Sequence, residues 1–328
     1  MTIDLTDTTT GAIDQALTEA RRRLGGMTLG MVLTLIIVTD EAAQYDAIRA
    51  ANQAAREHPC RILAVITRKP KSDSRLDAEI RVGESSPGET IVLRMYGPLG
   101  QHADSVVAPL LVPDVPVVTW WPDEAPEIPA KNPLGALAQR RVTDSAAAES
   151  PREVLAALAA GYQPGDTDFG WTRATPWRSL LAATLDQPHP AVIAGEIAAE
   201  QGNPTGDLIA AWLALRLSVP VARTVSGGPG ITDAVFRTTD GDIKITRTDG
   251  RTAVLSWPGR SDRRVALHRR DTAELLAEEL RRLDPDEVYA ETLRRIDAPG
   301  LLPSVDEDAA EGAALAAVDQ LVDEDYGE

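Results

Sequence analysis

The sequence predicts an α/β protein with two lobes, each a mixed β-sheet with helices packed on it. The segments "LGMVLTLIIVTD" and "CRILAVIT" are nearly continuous runs of apolar and β-branched residues, which are typical of strands buried on both faces. The helical segment "EAAQYDAIRAANQAAREH" lies between them, and this order favours parallel pairing through a right-handed crossover. The second half of the chain repeats the order of strand, helix and strand. The two lobes are therefore either related by an old duplication or alike by chance.

The first predicted helix, "TGAIDQALTEARRRLG", precedes the first lobe, and Gly25 and Gly26 end it. Asp40 is predicted to cap the helix between the two buried strands. The segments "DAEIRVGE" and "ETIVLRMYG" flank "SSPG" and predict a hairpin, so the sheet is mixed. A helix, "QHADSVVAPLLV", a buried strand, "DVPVVTWW", and a proline-rich loop follow.

Two helices are predicted to connect the lobes. The first, "SPREVLAALAAGY", has Ser150 as its cap, and the second, "TPWRSLLAATLD", has Thr175 as its cap and Pro176 in its first turn. The second lobe then contains a strand, the helix "TGDLIAAWLALRLS", several further strands and two closing helices. The predicted divisions are an N-terminal tail and helix (1–28), a first lobe (29–145), a helical connector (146–188), a second lobe (189–300) and an acidic tail (301–328).

The charge of the chain is strongly negative and unevenly distributed. The formal net charge is −17, and ten acids but no basic residue follow Arg295. An acidic protein repels phosphate backbones, so we do not expect nucleic acid as a partner. The tail is predicted to be disordered, or else to fold on a partner.

The sequence also predicts the compartment. Its longest apolar run, "GMVLTLIIV", is far shorter than the roughly 20 residues that a membrane-spanning helix needs, and its polar, acidic start does not resemble a secretory signal. The single cysteine, Cys60, excludes a disulfide within the chain and fits a reducing compartment. We therefore expect a soluble, cytoplasmic protein without a membrane partner.

No catalytic, cofactor or metal motif is evident. The glycines of "RLGGMTLG" precede a strand, and "VSGGPG" precedes another strand rather than a helix, so both are interpreted as structural turns. The four histidines lie in separate segments, and the two acids of "DTD", Asp166 and Asp168, are interpreted as loop residues rather than metal ligands. We expect no cofactor, no metal and no catalytic residue.

Aromatic and arginine residues are the more informative features. The segment "DTDFGWTRATPWRSLL" contains Trp and Arg, the residue types enriched at protein–protein hot spots. Trp120 and Trp121 are neighbours on a predicted strand, where adjacent side chains point to opposite faces. Either both lie in a core between two helix layers, or one of them faces a partner.

Four segments carry a resemblance to a known family: "EHPCRILAV", "GPLGQHADSVVAPLLVPDVPVVTWWPDE", "NPLGALAQRRVTDS" and "GDTDFGWTRATPWRSLLAATLDQ". The chain resembles the glucose-6-phosphate dehydrogenase assembly proteins, called OpcA, of cyanobacteria and actinobacteria. The resemblance implies a non-catalytic partner of the dehydrogenase that promotes its active oligomer and thereby supports NADPH supply through the oxidative pentose phosphate pathway. In cyanobacterial members cysteines make this activation redox-sensitive, but Cys60 is alone here.

We therefore expect a protein-binding allosteric activator or assembly factor. The expected partner contacts are Trp121, Trp171, Arg173, Trp177 and Arg178, followed by Arg140 and Arg141, while Trp120 is assigned to the core. Two rival classes are a scaffold without effect on turnover and an enzyme or degenerate enzyme acting on a sugar phosphate. In the enzyme, Arg140, Arg173 and Arg178 would bind phosphate, and Asp166 or Asp168 would act as base or metal ligand. Self-association is left open.

Overall fold

The computed structural model describes residues 1–24, 30–68, 72–83 and 88–296, and the chain divides into two compact units. The first unit comprises Met1–Glu149, Gly161–Thr172 and Arg270–Glu287. The second comprises Ser150–Ala160, Arg173–Arg269 and Val288–Glu328. Both units are thus discontinuous in sequence, and the domain boundaries expected from the sequence stay a prediction. Gly25, Gly26 and the acidic tail lie outside the described residues.

The described part of the chain contains both strands and helices, with runs of consecutive strands in each half. The strands are β1 (Thr2–Leu5), β2 (Leu33–Thr39), β3 (Cys60–Arg68), β4 (Arg75–Val82), β5 (Glu89–Tyr96), β6 (Val117–Trp120), β7 (Arg140–Thr143), β8 (Asp166–Asp168), β9 (Val192–Ala199), β10 (Val221–Val225), β11 (Ile231–Thr238), β12 (Gly241–Thr246), β13 (Thr252–Ser256) and β14 (Arg263–Ala266). The α-helices are α1 (Thr10–Arg23), α2 (Gln44–Ala54), α3 (Ala103–Val107), α4 (Pro151–Gly161), α5 (Phe169–Leu185), α6 (Pro204–Leu217), α7 (Thr272–Arg281) and α8 (Glu287–Ile296).

The first unit contains an eight-stranded mixed sheet in the order β1-β4-β5-β3-β2-β6-β7-β8. The strands from β5 to β8 in this order pair in parallel, and β4 pairs antiparallel with β5. The predicted parallel crossover and the predicted hairpin are therefore both confirmed.

Apolar side chains cover both faces of this sheet. On β2, Leu33, Leu35 and Ile37 pack in one core cluster with residues of α2 and α7. Ile36 points to the other face and packs in a second cluster with residues of α1 and α3. Successive side chains of a strand point to opposite faces, so a strand with two buried faces needs an uninterrupted apolar run. This requirement explains the composition of "LTLIIVT".

The second unit contains a six-stranded mixed sheet in the order β10-β9-β11-β12-β13-β14. Only β9 and β10 pair in parallel, and α6 lies between them in the chain. Asn203 caps α6 by accepting a hydrogen bond from the backbone N–H of Gly206 at 2.9 Å. In the second unit the next strand, β11, lies beside β9, which is the first strand of the β9–α6–β10 crossover. In the first unit β5 lies beside β3, which is the second strand of the β2–α2–β3 crossover.

Three short strands escape the sequence pattern. The N-terminal segment expected to be a tail forms β1, which pairs antiparallel with β4. The acids of "DTD" lie in β8 instead of a loop, and β8 pairs in parallel with β7, where no strand is predicted. These strands have three or four residues each, which is too short for a period-two pattern to be visible.

Helix α5 begins earlier than expected. The predicted cap at Thr175 is wrong, since the helix starts at Phe169 and contains Pro176 in its interior. A proline has no N–H for the carbonyl four residues before it. The carbonyl oxygen of Thr172 accepts a hydrogen bond from Nη2 of Arg270 instead, so the helix tolerates the proline.

Asp40 likewise caps a turn rather than a helix. Its carboxylate accepts hydrogen bonds from the backbone N–H groups of Ala42 and Ala43, both at 2.8 Å, in the turn that precedes α2. Within the described part of the chain, none of the helices combines the length and apolar character needed to traverse a bilayer.

Candidate binding site

The segment 166–172 is held by a buried polar network in the first unit. Asp168 is fully buried and accepts hydrogen bonds from Thr143 Oγ1 at 2.8 Å, from both the backbone N and Oγ of Ser145 at 2.8 Å, and from the backbone N of Gly170 at 2.7 Å. Burial raises the pKa of Asp168, and the nearby charge of Asp144 adds to the rise. Asp168 thus ties β7 to β8 and starts α5.

The two arginines of β7 belong to the same network. Nε of Arg140 donates to Glu279 Oε2 at 3.0 Å, and Arg141 forms an ion pair with Asp166 across the β7–β8 ladder. Burial raises the pKa of Asp166, although the hydrogen bond from Arg141 acts against this rise. Glu279 also accepts a hydrogen bond from Thr172 Oγ1 at 2.6 Å. Arg140 and Arg141 are buried and paired within the unit, and their expected contact with a partner stays a prediction.

The tryptophans expected to contact a partner are also buried. Trp121, Trp171 and Trp177 are each 2% exposed, and Trp120, assigned to the core, is 0% exposed. Trp120 packs against Phe169 with 5.7 Å between ring centroids. Both faces of the strand end that carries Trp120 and Trp121 are therefore covered. The burial of these rings favours the core alternative, while their contact with a partner stays a prediction.

Two of the buried tryptophans, Trp171 and Trp177, each have a specific polar neighbour in their own unit. Nε1 of Trp171 donates to Asp286 Oδ2 at 2.8 Å in the first unit. In the second unit, the guanidinium carbon of Arg247 lies 4.9 Å from the centroid of the Trp177 ring. These contacts fix the rings, so the aromatic residues of the motif serve the fold directly.

Arg173 and Arg178 are the expected contact residues that remain half-buried. They lie in the part of α5 that belongs to the second unit, where Nη2 of Arg178 donates to Thr175 Oγ1 at 3.2 Å. Trp121, Trp171, Arg140 and Arg141 belong to the first unit instead. The expected set is therefore divided between the two units.

A cavity of about 410 Å³ opens at the carboxyl ends of β2, β6 and β7 in the first unit. The chain leaves β2 toward β3 on one side and enters β6 on the other, so the cavity lies where the strand order reverses. Ligands of open α/β sheets commonly bind at this position. The lining is Ala43, Asp46, Ala47, Arg49, Ala50, Gln53, Trp120, Pro122, Asp123, Asp144, Ala147, Asp271, Thr272 and Ala273.

The lining makes this cavity acidic. It contains the four aspartates Asp46, Asp123, Asp144 and Asp271 against one arginine, Arg49. Burial raises the pKa of Asp123, and the charges of Asp40, Asp144 and Glu124 raise it further, while a hydrogen bond from Thr39 lowers it. Such a lining repels phosphate groups and attracts cationic ones.

This cavity was not among the predicted sites, although the sequence contains a signal for it. Asp40 and Asp144 directly follow β2 and β7, and Asp123 follows β6 by three residues. The carboxyl ends of parallel strands meet at one edge of a sheet, which brings such residues together. Within the described ranges, no three histidine, cysteine or acidic residues are grouped so that they could hold a metal ion.

These observations define a two-unit α/β protein with a structural network behind its sequence motif and an acidic cavity at a topological switch point. Two family models match it: the glucose-6-phosphate dehydrogenase subunit N-terminal domain over residues 51–160, and the corresponding C-terminal domain over residues 164–293. The chain belongs to this family, the OpcA family of glucose-6-phosphate dehydrogenase assembly proteins.

A curated relative is the putative OxPP cycle protein OpcA of Synechocystis sp., which is 26% identical over 199 residues. The alignment covers 54% of this chain and 41% of the relative, so the chain matches less than half of that protein's length.

Two solved structures were also matched. The ketoreductase KijD10 of Actinomadura kijaniata, in complex with NADP and TDP-benzene, has 14% identity and a TM-score of 0.47, covering 83% of this chain and 96% of the other. A structure described as trehalose-6-phosphate from E. coli, bound with UDP-2-fluoro glucose, has 9% identity and a TM-score of 0.24, covering 58% and 64%. Both TM-scores are below 0.5.

Proposed function

We propose that this chain binds glucose-6-phosphate dehydrogenase, promotes its assembly and activates it allosterically, without catalysing a reaction itself. The observation that carries the proposal is the match of both family models, each described as a domain of a glucose-6-phosphate dehydrogenase subunit. Through this activation the chain would support NADPH supply in the oxidative pentose phosphate pathway.

The environment of the segment 166–172 and of β7 supports a binding role over the rival enzyme. The enzyme hypothesis assigned Arg140 to phosphate binding and Asp166 or Asp168 to base or metal chemistry. Arg140 is occupied by Glu279, Asp166 by Arg141, and Asp168 by the donors of Ser145, Thr143 and Gly170. These groups already have internal partners, so their chemistry serves the fold.

Two surface features are our proposed contact regions. Arg173 and Arg178 are half-buried and carry charged ends on long stems, a combination common at protein interfaces. The acidic cavity of the first unit suits a basic side chain of the dehydrogenase, because Asp123 and Asp144 repel each other less when a cation lies between them.

Activation requires a difference in affinity. An activator shifts an equilibrium only by the amount by which it binds the active state better than the inactive one. A 20-fold shift corresponds to about 1.8 kcal/mol of differential affinity, which one well-placed arginine contact can supply.

The direct test adds the purified chain to purified glucose-6-phosphate dehydrogenase. We expect faster NADPH formation, measured by absorbance, and a larger oligomer, measured by light scattering. An increase in mass without a change in rate would support the scaffold class instead. No change in either quantity would remove the proposal.

Variants locate the contact. The double change Arg173→Ala and Arg178→Ala should weaken activation at least tenfold in the concentration required, while circular dichroism and thermal unfolding show a retained fold. Arg264→Ala is the matched control, since Arg264 is an exposed arginine of the same unit. Equal activation by the double variant and the control would exclude the α5 contact without touching the dehydrogenase assignment.

A further inference from the structure

Arg247 is a buried cation without a carboxylate partner in the described chain. It is 5% exposed and lies in the second unit. Nη1 donates to the carbonyl oxygen of Leu267 at 3.1 Å, and Nη2 donates to that of Ile231 at 3.0 Å. Its Nε is buried and has no hydrogen-bond partner there, and the ring of Trp177 covers the guanidinium group.

Such an arrangement is costly for a charge. Burying a cation without a counter-ion loses hydration that carbonyl groups restore only in part. Burial, followed by repulsion from Arg269, lowers the pKa of Arg247 to about 10, so the group is still protonated at neutral pH. Asp249 acts in the opposite direction, but its exposed carboxylate accepts hydrogen bonds from the backbone N–H groups of Arg251 and Thr252, both at 2.7 Å.

The topology brings a second arginine and a glycine-rich turn to the same place. Arg247 directly follows β12, Arg269 follows β14 by three residues, and the turn 226–230, "SGGPG", follows β10. These three strands run in the same direction as β9, so their carboxyl ends share one edge of the sheet.

Gly230 leaves a space beside both arginines. Its φ is +68°, a conformation that L-residues with side chains rarely adopt. A Cβ at this position would lie 3.6 Å from Nη2 of Arg247 and 4.0 Å from Cζ of Arg269. Two mutually repelling guanidinium groups therefore converge on a point that no side chain occupies.

We propose that this edge of the second unit binds a small oxyanion, a phosphate monoester or a carboxylate, between the guanidinium groups of Arg247 and Arg269. An oxyanion neutralises both cations and accepts hydrogen bonds from planar guanidinium groups. Arg269 is exposed, so the anion can reach the site from solvent. Arg247 forms the buried, desolvated floor of the site. The two backbone carbonyls explain why Arg247 is positioned, but they leave the repulsion from Arg269 uncompensated.

The test uses the full chain alone, so its outcome is separate from that of the dehydrogenase experiment. Thermal unfolding and titration calorimetry are measured in sodium phosphate, sodium succinate and sodium chloride at equal ionic strength. We expect phosphate or succinate to raise the melting temperature beyond chloride and to give a saturable binding heat. The stronger of the two identifies the ligand class, and equal behaviour in all three salts overturns the proposal.

Variants separate this site from general screening of charge. Arg269→Ala should weaken oxyanion binding at least tenfold, which corresponds to about 1.4 kcal/mol. Arg263→Ala removes another exposed arginine of the same unit and should leave the affinity unchanged. Arg247→Met should abolish binding, and if that variant does not fold, Arg269→Ala still decides the question. Equal losses in Arg269→Ala and Arg263→Ala would contradict a specific site.

Discussion

The two units differ in how they accommodate buried arginines. In the first unit, Arg61, Arg140 and Arg141 each face a carboxylate, as in the contact of 2.9 Å between Arg61 Nη2 and Glu89. In the second unit, Arg223 pairs with Asp207 at 3.1 Å, whereas Arg247 meets only carbonyl oxygens and an aromatic ring. Each of these buried arginines of the first unit thus has a carboxylate partner, whereas in the second unit Arg223 has one and Arg247 does not.

The same contrast appears at the carboxyl edges of the parallel strands. Both units contain a β-strand, a helix and a parallel strand, as the sequence predicts. In the first unit this edge carries four aspartates around a cavity, and in the second it carries Arg247 and Arg269 beside a glycine turn. Similar local topology therefore presents opposite charge, which suits ligands of opposite sign. Charged groups that are paired within a unit stabilise its fold, and those without an opposite charge are the candidates for binding a ligand.

The largest effect on stability should come from breaking a buried ion pair in the first unit. Glu279→Ala removes the partner of both Arg140 and Thr172 and leaves a buried arginine without a carboxylate. Breaking a buried pair in this way costs about 3–5 kcal/mol, so we expect the free energy of unfolding in urea to fall by that amount.

A matched control exists in the same unit. Glu57 pairs with Arg281 at 3.4 Å, but both side chains are more than half exposed. Glu57→Gln should cost at most about 0.5 kcal/mol, because solvent already screens this pair. If Glu279→Ala lowered the free energy of unfolding as little as Glu57→Gln, the contrast between buried arginines with and without a carboxylate partner would have no energetic basis.

The next prediction compares the two buried arginines of the second unit. Arg223→Met leaves the buried Asp207 with Arg152 as its remaining ion-pair partner. Arg247→Met deprives no carboxylate of its partner. We expect the loss of unfolding free energy to be about 2 kcal/mol smaller for Arg247→Met than for Arg223→Met in chloride buffer. Chemical denaturation of both variants measures the difference. Equal losses would mean that Arg247 is as fully satisfied as Arg223.

The sequence predicts the apolar elements well and the polar ones poorly, for a physical reason. Uninterrupted apolar runs define β2 and β3. The signals for α7 are also local, because its capping box, formed by Asp271 and Glu274, and its last leucine lie within one short segment. The strands "RRVT" and "DTD" have no such pattern. Arg141 and Asp166 join these two strands across the ladder, and a contact between residues 25 positions apart is invisible to local periodicity.

The binding sites show the same limit. The aspartates after β2, β6 and β7 could be found by asking which polar residues follow parallel strands. The burial of Trp121, Trp171 and Trp177 could not, since enrichment of tryptophan at hot spots and in cores gives the same residue types. Likewise the proximity of Arg269 to Arg247 depends on the order of strands in the second sheet, which periodicity does not specify.

The smallest effect, and the sharpest for the acidic edge, is that of Asp123→Asn. Burial raises the pKa of Asp123 in the folded chain, so its charged form opposes folding above that pKa. At pH 7 the variant should be more stable by a few tenths of a kcal/mol, since the group is partly solvated. The advantage should shrink as the pH falls through the raised pKa and vanish below about pH 4, where the unfolded carboxyl is also protonated.

The same variant should activate glucose-6-phosphate dehydrogenase less well, if the cavity holds a basic side chain. Asn keeps an oxygen that can accept the hydrogen bond from Thr39 Oγ1, so a lost response would reflect charge rather than geometry. Glu124→Gln is the control, since it removes an equal charge from the exposed neighbouring residue, outside the cavity lining. If Asp123→Asn gained stability but lost activation, the aspartates of the cavity would destabilise the first unit by mutual repulsion and yet be needed to bind the dehydrogenase. Identical effects of both variants on activation would assign the change to net charge alone.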